Sequence, residues 1–169
     1  MKLKIVGLTL ALAIGSVWSL SAEAKDEGTC TVKISGGMER AFACSAELRD
    51  LNGWRLVIGG SSSLPVDFGG VISFEGAPVA NKAYGITDLD SVTLDVRDKH
   101  DKDGNVWDAN ASKKPPRFGP RKVSPPRGTV TLKITSSGPE PTVHGALEAT
   151  LKPTTFNKNK KDVVLSFEF

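Results

Sequence analysis

Histidine, cysteine and aromatic residues are scarce in this chain, and each scarcity removes a class of function. Two histidines and two cysteines in 169 residues argue against a zinc site, which needs three or four His, Cys or carboxylate ligands, because the cysteines are expected to be committed to a disulfide. No Cys-x-x-Cys motif supports dithiol redox chemistry, and the serine run Gly60-Ser61-Ser62-Ser63 lacks the Gly-x-Ser-x-Gly elbow of a hydrolase nucleophile. One tyrosine, three tryptophans and seven phenylalanines give few rings for stacking bases, and few for two aromatic girdles around a membrane barrel. The formal net charge is only +3, so no global field argues for nucleic acid or an anionic membrane. No stretch has strong helical periodicity, and past the N-terminus no apolar run is long enough to span a bilayer as a helix.

What is present begins with a leader. Met1-Lys2-Leu3-Lys4 is positive, Ile5 to Leu20 is uncharged, and Ala22-Glu23-Ala24 is a small-x-small site. This predicts a cleaved signal peptide over 1–24 and an exported, secreted or periplasmic, product. The leader holds Lys2, Lys4 and Glu23, so its removal lowers the net charge to +2. The remaining 25–169 are enough for one domain. In an oxidising compartment the two cysteines, Cys30 and Cys44, predict a disulfide. Cys30 alternates in phase with Val32 and Ile34, and Cys44 with Phe42, Ala46 and Leu48, so both sulfurs fall on buried faces. The crosslink is expected to stabilise by about 3 kcal/mol.

Period-two alternation runs through most of the chain and predicts strands. It is clearest in Val92, Leu94, Val96; in Val130, Leu132, Ile134; in Val143, Leu147, Ala149, Leu151; and in Val163, Leu165, Phe167, Phe169. Residues 38–51 have helix propensity, but the alternation through Phe42, Cys44, Ala46 and Leu48 favours a strand, and Asn52-Gly53 predicts a type I′ hairpin to Trp54, Leu56 and Ile58. Roughly eight strands at short spacing imply an all-β, single-domain antiparallel β-sandwich, with a small closed β-barrel as the alternative. From Asp98 to Arg127 the chain turns charged and proline-rich, and the expectation is one long irregular loop, with a short return strand at Asn105-Val106-Trp107 as an option.

The C-terminal patterns Gly-Thr-Val-Thr-Leu, Val-His-Gly-Ala-Leu-Glu-Ala-Thr-Leu and Val-Val-Leu-Ser-Phe-Glu-Phe resemble the ending of small, exported, uncharacterised β-sandwich proteins of bacteria. The resemblance covers roughly the last 40 residues and implies compartment and fold, with no activity attached.

Candidate sites concentrate in 98–127. Lys113, Lys114, Arg117, Arg121, Lys122 and Arg127, interleaved with prolines and Phe118, form a candidate contact for a polyanion such as an acidic glycan; the bland alternative is a solvated loop. Asp95, Asp98, Asp101, Asp103 and Asp108 with His100 form an acidic cluster, of which Asp98, Asp101 and Asp103 are the calcium candidates. The EF-hand pattern fails, because Lys99 and Asn110 stand where acids are required, and a turn explains Asp103-Gly104 equally well. His144 falls on the outward phase of its strand. Asn110-Ala111-Ser112 matches a glycosylation acceptor. No cofactor is expected. The functional expectation is an exported, non-catalytic binding or envelope-associated module whose partner is an envelope component, glycan or protein. The alternatives are an eight-stranded outer-membrane barrel and an enzyme with an unrecognised site.

Overall fold

The computed structural model describes residues 29–50, 52–60, 66–99, 104–115, 122–137 and 143–169, and among them every helix or strand is a strand. They are β1 (Thr29–Gly36), β2 (Arg40–Asp50), β3 (Trp54–Gly60), β4 (Val66–Ser73), β5 (Ala83–Gly85), β6 (Ser91–Asp98), β7 (Val106–Ser112), β8 (Thr129–Ser137), β9 (Val143–Pro153) and β10 (Val163–Glu168). Residues 1–24, the expected leader, lie outside the described residues. All pairings are antiparallel. Neighbours run β1, β2, β3, β4, β6, β7, β9, β10 and back to β1, closing an eight-strand barrel. Of the two expected closures, the chain takes the barrel. β8 and β5 extend the sheet beyond the ring's pairings: β8 lies along β9, and β5 along β8, with Val130, Leu132 and Ile134 of β8 buried in the common core.

Closure turns on β9, which pairs with β10 along one edge through Ala146–Leu151. On the other edge it pairs with β8 as far as Thr150 and then with β7 at Lys152 and Pro153. The strand thus changes partner where β8 wedges in beside β7. Gly128 occupies this fork with φ +77°, and a Cβ there would stand 2.4 Å from the Thr150 carbonyl oxygen and 2.9 Å from Ala109 Cβ. Arg127 clamps the same point, its guanidinium donating to the Asp108 carboxylate on β7 and to the Pro153 carbonyl on β9. Pro153 lies past the last β9–β10 pair, so its missing N–H interrupts no ladder there.

Inward positions are apolar. Val32, Leu56, Ile72, Leu94, Val96, Leu132, Leu151 and Leu165 are 0% exposed. Eight strands enclose a space that side chains just fill, and a run of rings from Phe42 to Phe68, Phe167 and Phe169 crosses it with centroids 5.7–6.4 Å apart. Outward positions are mostly polar: Thr31 and Lys33 on β1, Thr93, Asp95 and Arg97 on β6, Glu148 and Lys152 on β9, Ser166 and Glu168 on β10, with Val57 and Val71 paired on the outer face of β3 and β4. Cys30 and Cys44 face each other across β1 and β2, joined as a disulfide with Cα atoms 4.8 Å apart.

Two expectations are corrected. The β2–β3 register pairs Asp50 with Trp54, so the connection carries three residues, 51–53, rather than two, although Asn52 and Gly53 both have positive φ as expected. The 98–127 segment is not one irregular loop. β7 runs through it and pairs with β6 at seven positions. Its inward residues are Trp107 and Ala109, 1% and 0% exposed, and a single ring beside alanines gives little apolar signal to read.

Gly53 and Gly128 separate backbone strain from collision. Both have positive φ, but a Cβ at Gly53 meets nothing within 4 Å. Gly53→Ala is expected to cost about 1 kcal/mol for the strained backbone, and Gly128→Ala about 1–3 kcal/mol more from the backbone contact, as measured by urea unfolding.

Candidate functional site

The register aligns one row of outward residues across six of the eight strands of the barrel wall. Ser45 on β2 pairs with Gly59 on β3, Gly59 with Gly69 on β4, Gly69 with Asp95 on β6, Asp95 with Asp108 on β7, and Asp108 with Lys152 on β9. Two side-by-side glycines remove the wall's side chains over two strands and leave a furrow floored by backbone. Their neighbours show why this is not a packing demand. Gly60 and Gly70 face inward, where a Cβ would meet Phe42 Cε2 at 2.7 Å and Leu94 Cδ2 at 2.4 Å. Outward-facing Gly59 and Gly69 have nothing nearer than 3.9 Å, so larger side chains would fit.

The furrow ends against carboxylates. Asp95 and Asp108 are direct cross-strand partners, and Asp67 precedes the furrow by one outward step on β4. Asp67 is held by Lys99 at 2.6 Å, and Asp108 by Arg127. Asp95 has no ion pair of its own among the described residues. Partial burial pushes its carboxyl above the usual range, Arg97 pulls it down, and the charges of Asp67 and Asp108 push it up again. The furrow is therefore a strip of bare backbone, its peptide groups engaged in the ladders, ending in a half-buried acid that can accept hydrogen bonds from a polar ligand laid along it. Among the described residues no set of three His, Cys, Asp or Glu is placed to hold a metal.

The expected site residues are dispersed. Asp95 and Asp108 do come together. Asp98 ends β6, its N–H donating to the Asn105 carbonyl, while His100, Asp101 and Asp103 lie outside the described residues, so the calcium candidates are described only at Asp98. Of the six polyanion candidates, Arg117 and Arg121 lie outside the described residues. Lys113 pairs with Glu75 and donates to the Asp88 carbonyl, Lys114 pairs with Asp90 at 3.0 Å, and Arg127 is the clamp at the fork. Their charge is locally compensated. Lys122 is exposed, and so is His144, as its phase implied. Asn110 of the acceptor pattern is a strand residue, its backbone paired to Arg127 in both directions and its amide donating to Asp108.

Two open clefts also mark the wall. One of about 390 Å³ lies over β1, β10 and β9, between Lys33, Glu148 and Glu168. The other, about 360 Å³, lies between the β6–β7 wall and Lys114, Pro115 and Ser124, where Thr93, Asn110, Ser112 and Ser124 supply hydroxyls and an amide.

Sequence reasoning missed the glycine furrow. The doublets Gly59-Gly60 and Gly69-Gly70 were visible, but only the register shows that they face each other. Comparison with protein-family models, curated proteins and solved structures finds no match to this chain.

Because its folded carboxyl is raised, charged Asp95 disfavours the fold above that range, and the penalty vanishes once both folded and unfolded forms are protonated at low pH. Asp95→Asn is therefore expected to stabilise at pH 7 by about 0.5 kcal/mol after allowance for solvent screening, a Tm rise of about 2 °C. The gain should disappear as pH falls below the carboxylate range. Thermal melts across that range check it.

Proposed function

We propose that this chain is an exported, non-catalytic binding module of the cell envelope that makes its contacts on the outside of a filled barrel. The observation that carries the reading is the polarity of the strands. Inward side chains are apolar and occupy the interior, so contact with a polar partner falls to the wall and the end loops. A transmembrane barrel has the reverse arrangement, apolar outside and polar within. Lys33, Asp95, Arg97, Glu148 and Lys152 on the outward face therefore favour a water-exposed barrel over the outer-membrane alternative. A cross-strand disulfide suits an oxidising compartment, in line with the leader at 1–24 and with the resemblance of the C-terminal strands to exported bacterial proteins.

The enzymatic alternative would draw on Asp95 and Asp108 as its acid pair. Both stand on an open wall, and Asp108 is engaged by the Arg127 clamp on which closure relies, which favours a binding role for the furrow. The partner class that fits is a polar envelope component, glycan or protein surface able to lie along the glycine strip and donate hydrogen bonds to the carboxylates at its end.

Expression of the full chain in a bacterium with Sec export, followed by osmotic-shock fractionation, tests this reading. The expected product begins at Lys25, is recovered without detergent from periplasm or medium, and resists alkylation at both cysteines until reduced. Recovery only from detergent-extracted membranes would support the outer-membrane barrel instead, and an uncleaved, reduced cytosolic product would contradict export.

A further inference from the structure

Phe156 is 90% exposed. It stands in the 154–162 connection between β9 and β10, at the barrel end where β1 turns into β2 and β6 into β7. An exposed phenylalanine on a slack loop would carry no argument, since it could fold back onto the wall. This loop is tied down on both sides of it. The next residue, Asn157, is 2% exposed, and its Oδ1 accepts from the Val106 N–H and the Thr154 hydroxyl, both at 2.8 Å. The Lys158 N–H donates to Oδ1 of buried Asn105 at 3.0 Å. The Asn159 amide donates to the Gly37 carbonyl at 2.8 Å, and Nε1 of buried Trp107 donates to the Lys161 carbonyl at 2.9 Å. Buried side chains from the start of β7 and its entry thus help tie down the short loop that presents Phe156 to solvent.

The loop's charge points to what it meets. Lys158, Lys160 and Lys161 are all exposed. Lys160 reaches back to the Thr155 carbonyl at 3.0 Å, beside Phe156. The loop's one acid, Asp162, is engaged by Lys152. An aromatic side chain held outward among lysines matches a surface with anionic groups above an apolar layer.

We propose that the 154–162 loop docks this barrel on the surface of an anionic phospholipid bilayer, with Phe156 entering the interface and Lys158, Lys160 and Lys161 against the lipid phosphates. The proposal rests on the envelope-associated reading and names the surface concerned. One aromatic and three cations give a reversible attachment, not an anchor.

The test uses the chain from Lys25, which contains all ten strands and both cysteines, oxidised and checked by a cooperative melt. It is sedimented with phosphatidylglycerol–phosphatidylcholine vesicles and with pure phosphatidylcholine vesicles. The expected result is binding to the anionic vesicles alone, lost at about 1 M salt where charges are screened within about 3 Å. Phe156→Ala should weaken it about tenfold. The combined Lys158→Gln, Lys160→Gln, Lys161→Gln variant should weaken it about a hundredfold. All these side chains are exposed and their contacts are at the surface, so Tm should move by no more than a few degrees. Absence of binding to anionic vesicles would overturn the proposal, as would equal binding to neutral ones. So would binding that the lysine variant loses but Phe156→Ala retains in full, which is diffuse attraction without a docked loop. Export is read separately by fractionation, so failure there leaves this result to stand or fall alone.

Discussion

The structure depends on the fork at which β9 gives up β8 and takes β7. A sheet left open there would present unpaired N–H and C=O groups along β7 and β9, the free edges that closed barrels avoid. Closure requires three backbones to converge within a space that admits no side chain, and Gly128 is the residue that meets this condition. Arg127, next to it, converts the convergence into a clamp by bonding one strand on each side. The residues on the other side of the same strand pair complete it: Trp107 closes the end of the barrel below the 154–162 loop, with its indole N–H satisfied by that loop's backbone.

From closure follow the other properties of the molecule. A closed ring of eight strands has room for its own side chains and little else, so the interior is a core. The wall carries the polar chemistry, and a furrow arises where two outward glycines pair. The end loops are positioned by buried groups: Asn105 and Asn157 are polar residues within the folded body, and each spends its carbonyl oxygen on loop or strand-entry backbone. Burying an amide is costly; the Asn157 Nδ2 finds no partner among the described residues, and the bonds made by the two carbonyl oxygens set the shape of the loop that displays Phe156.

Much of this was legible in the sequence, but only as faces. Alternation in Val92–Leu94–Val96 and Val163–Leu165–Phe167 marks which side of a strand is buried, and the phase of Cys30 and Cys44 marks a shared interior; both hold in the structure. Alternation is silent about partners, which is why sandwich and barrel read alike. β7 was hidden because its inward residues are one tryptophan and alanines, set among Asp and Asn. The furrow needs the pairing of Gly59 with Gly69, a relation between residues on different strands. The exposure of Phe156 depends on contacts from Gly37, Asn105 and Trp107, all distant in the chain.

The most direct test of the account is the closing seam itself. Trp107 and Pro153 are cross-strand partners, and the neighbouring bond from the Thr154 N–H to the Val106 carbonyl, 2.9 Å, places them at the position where α-protons approach most closely. In the oxidised protein, NMR should show a nuclear Overhauser effect between the α-protons of Trp107 and Pro153, with the Thr154 amide protected from exchange. Absence of that effect together with rapid exchange at Thr154 would mean an open β7 edge, and a sandwich in place of the barrel.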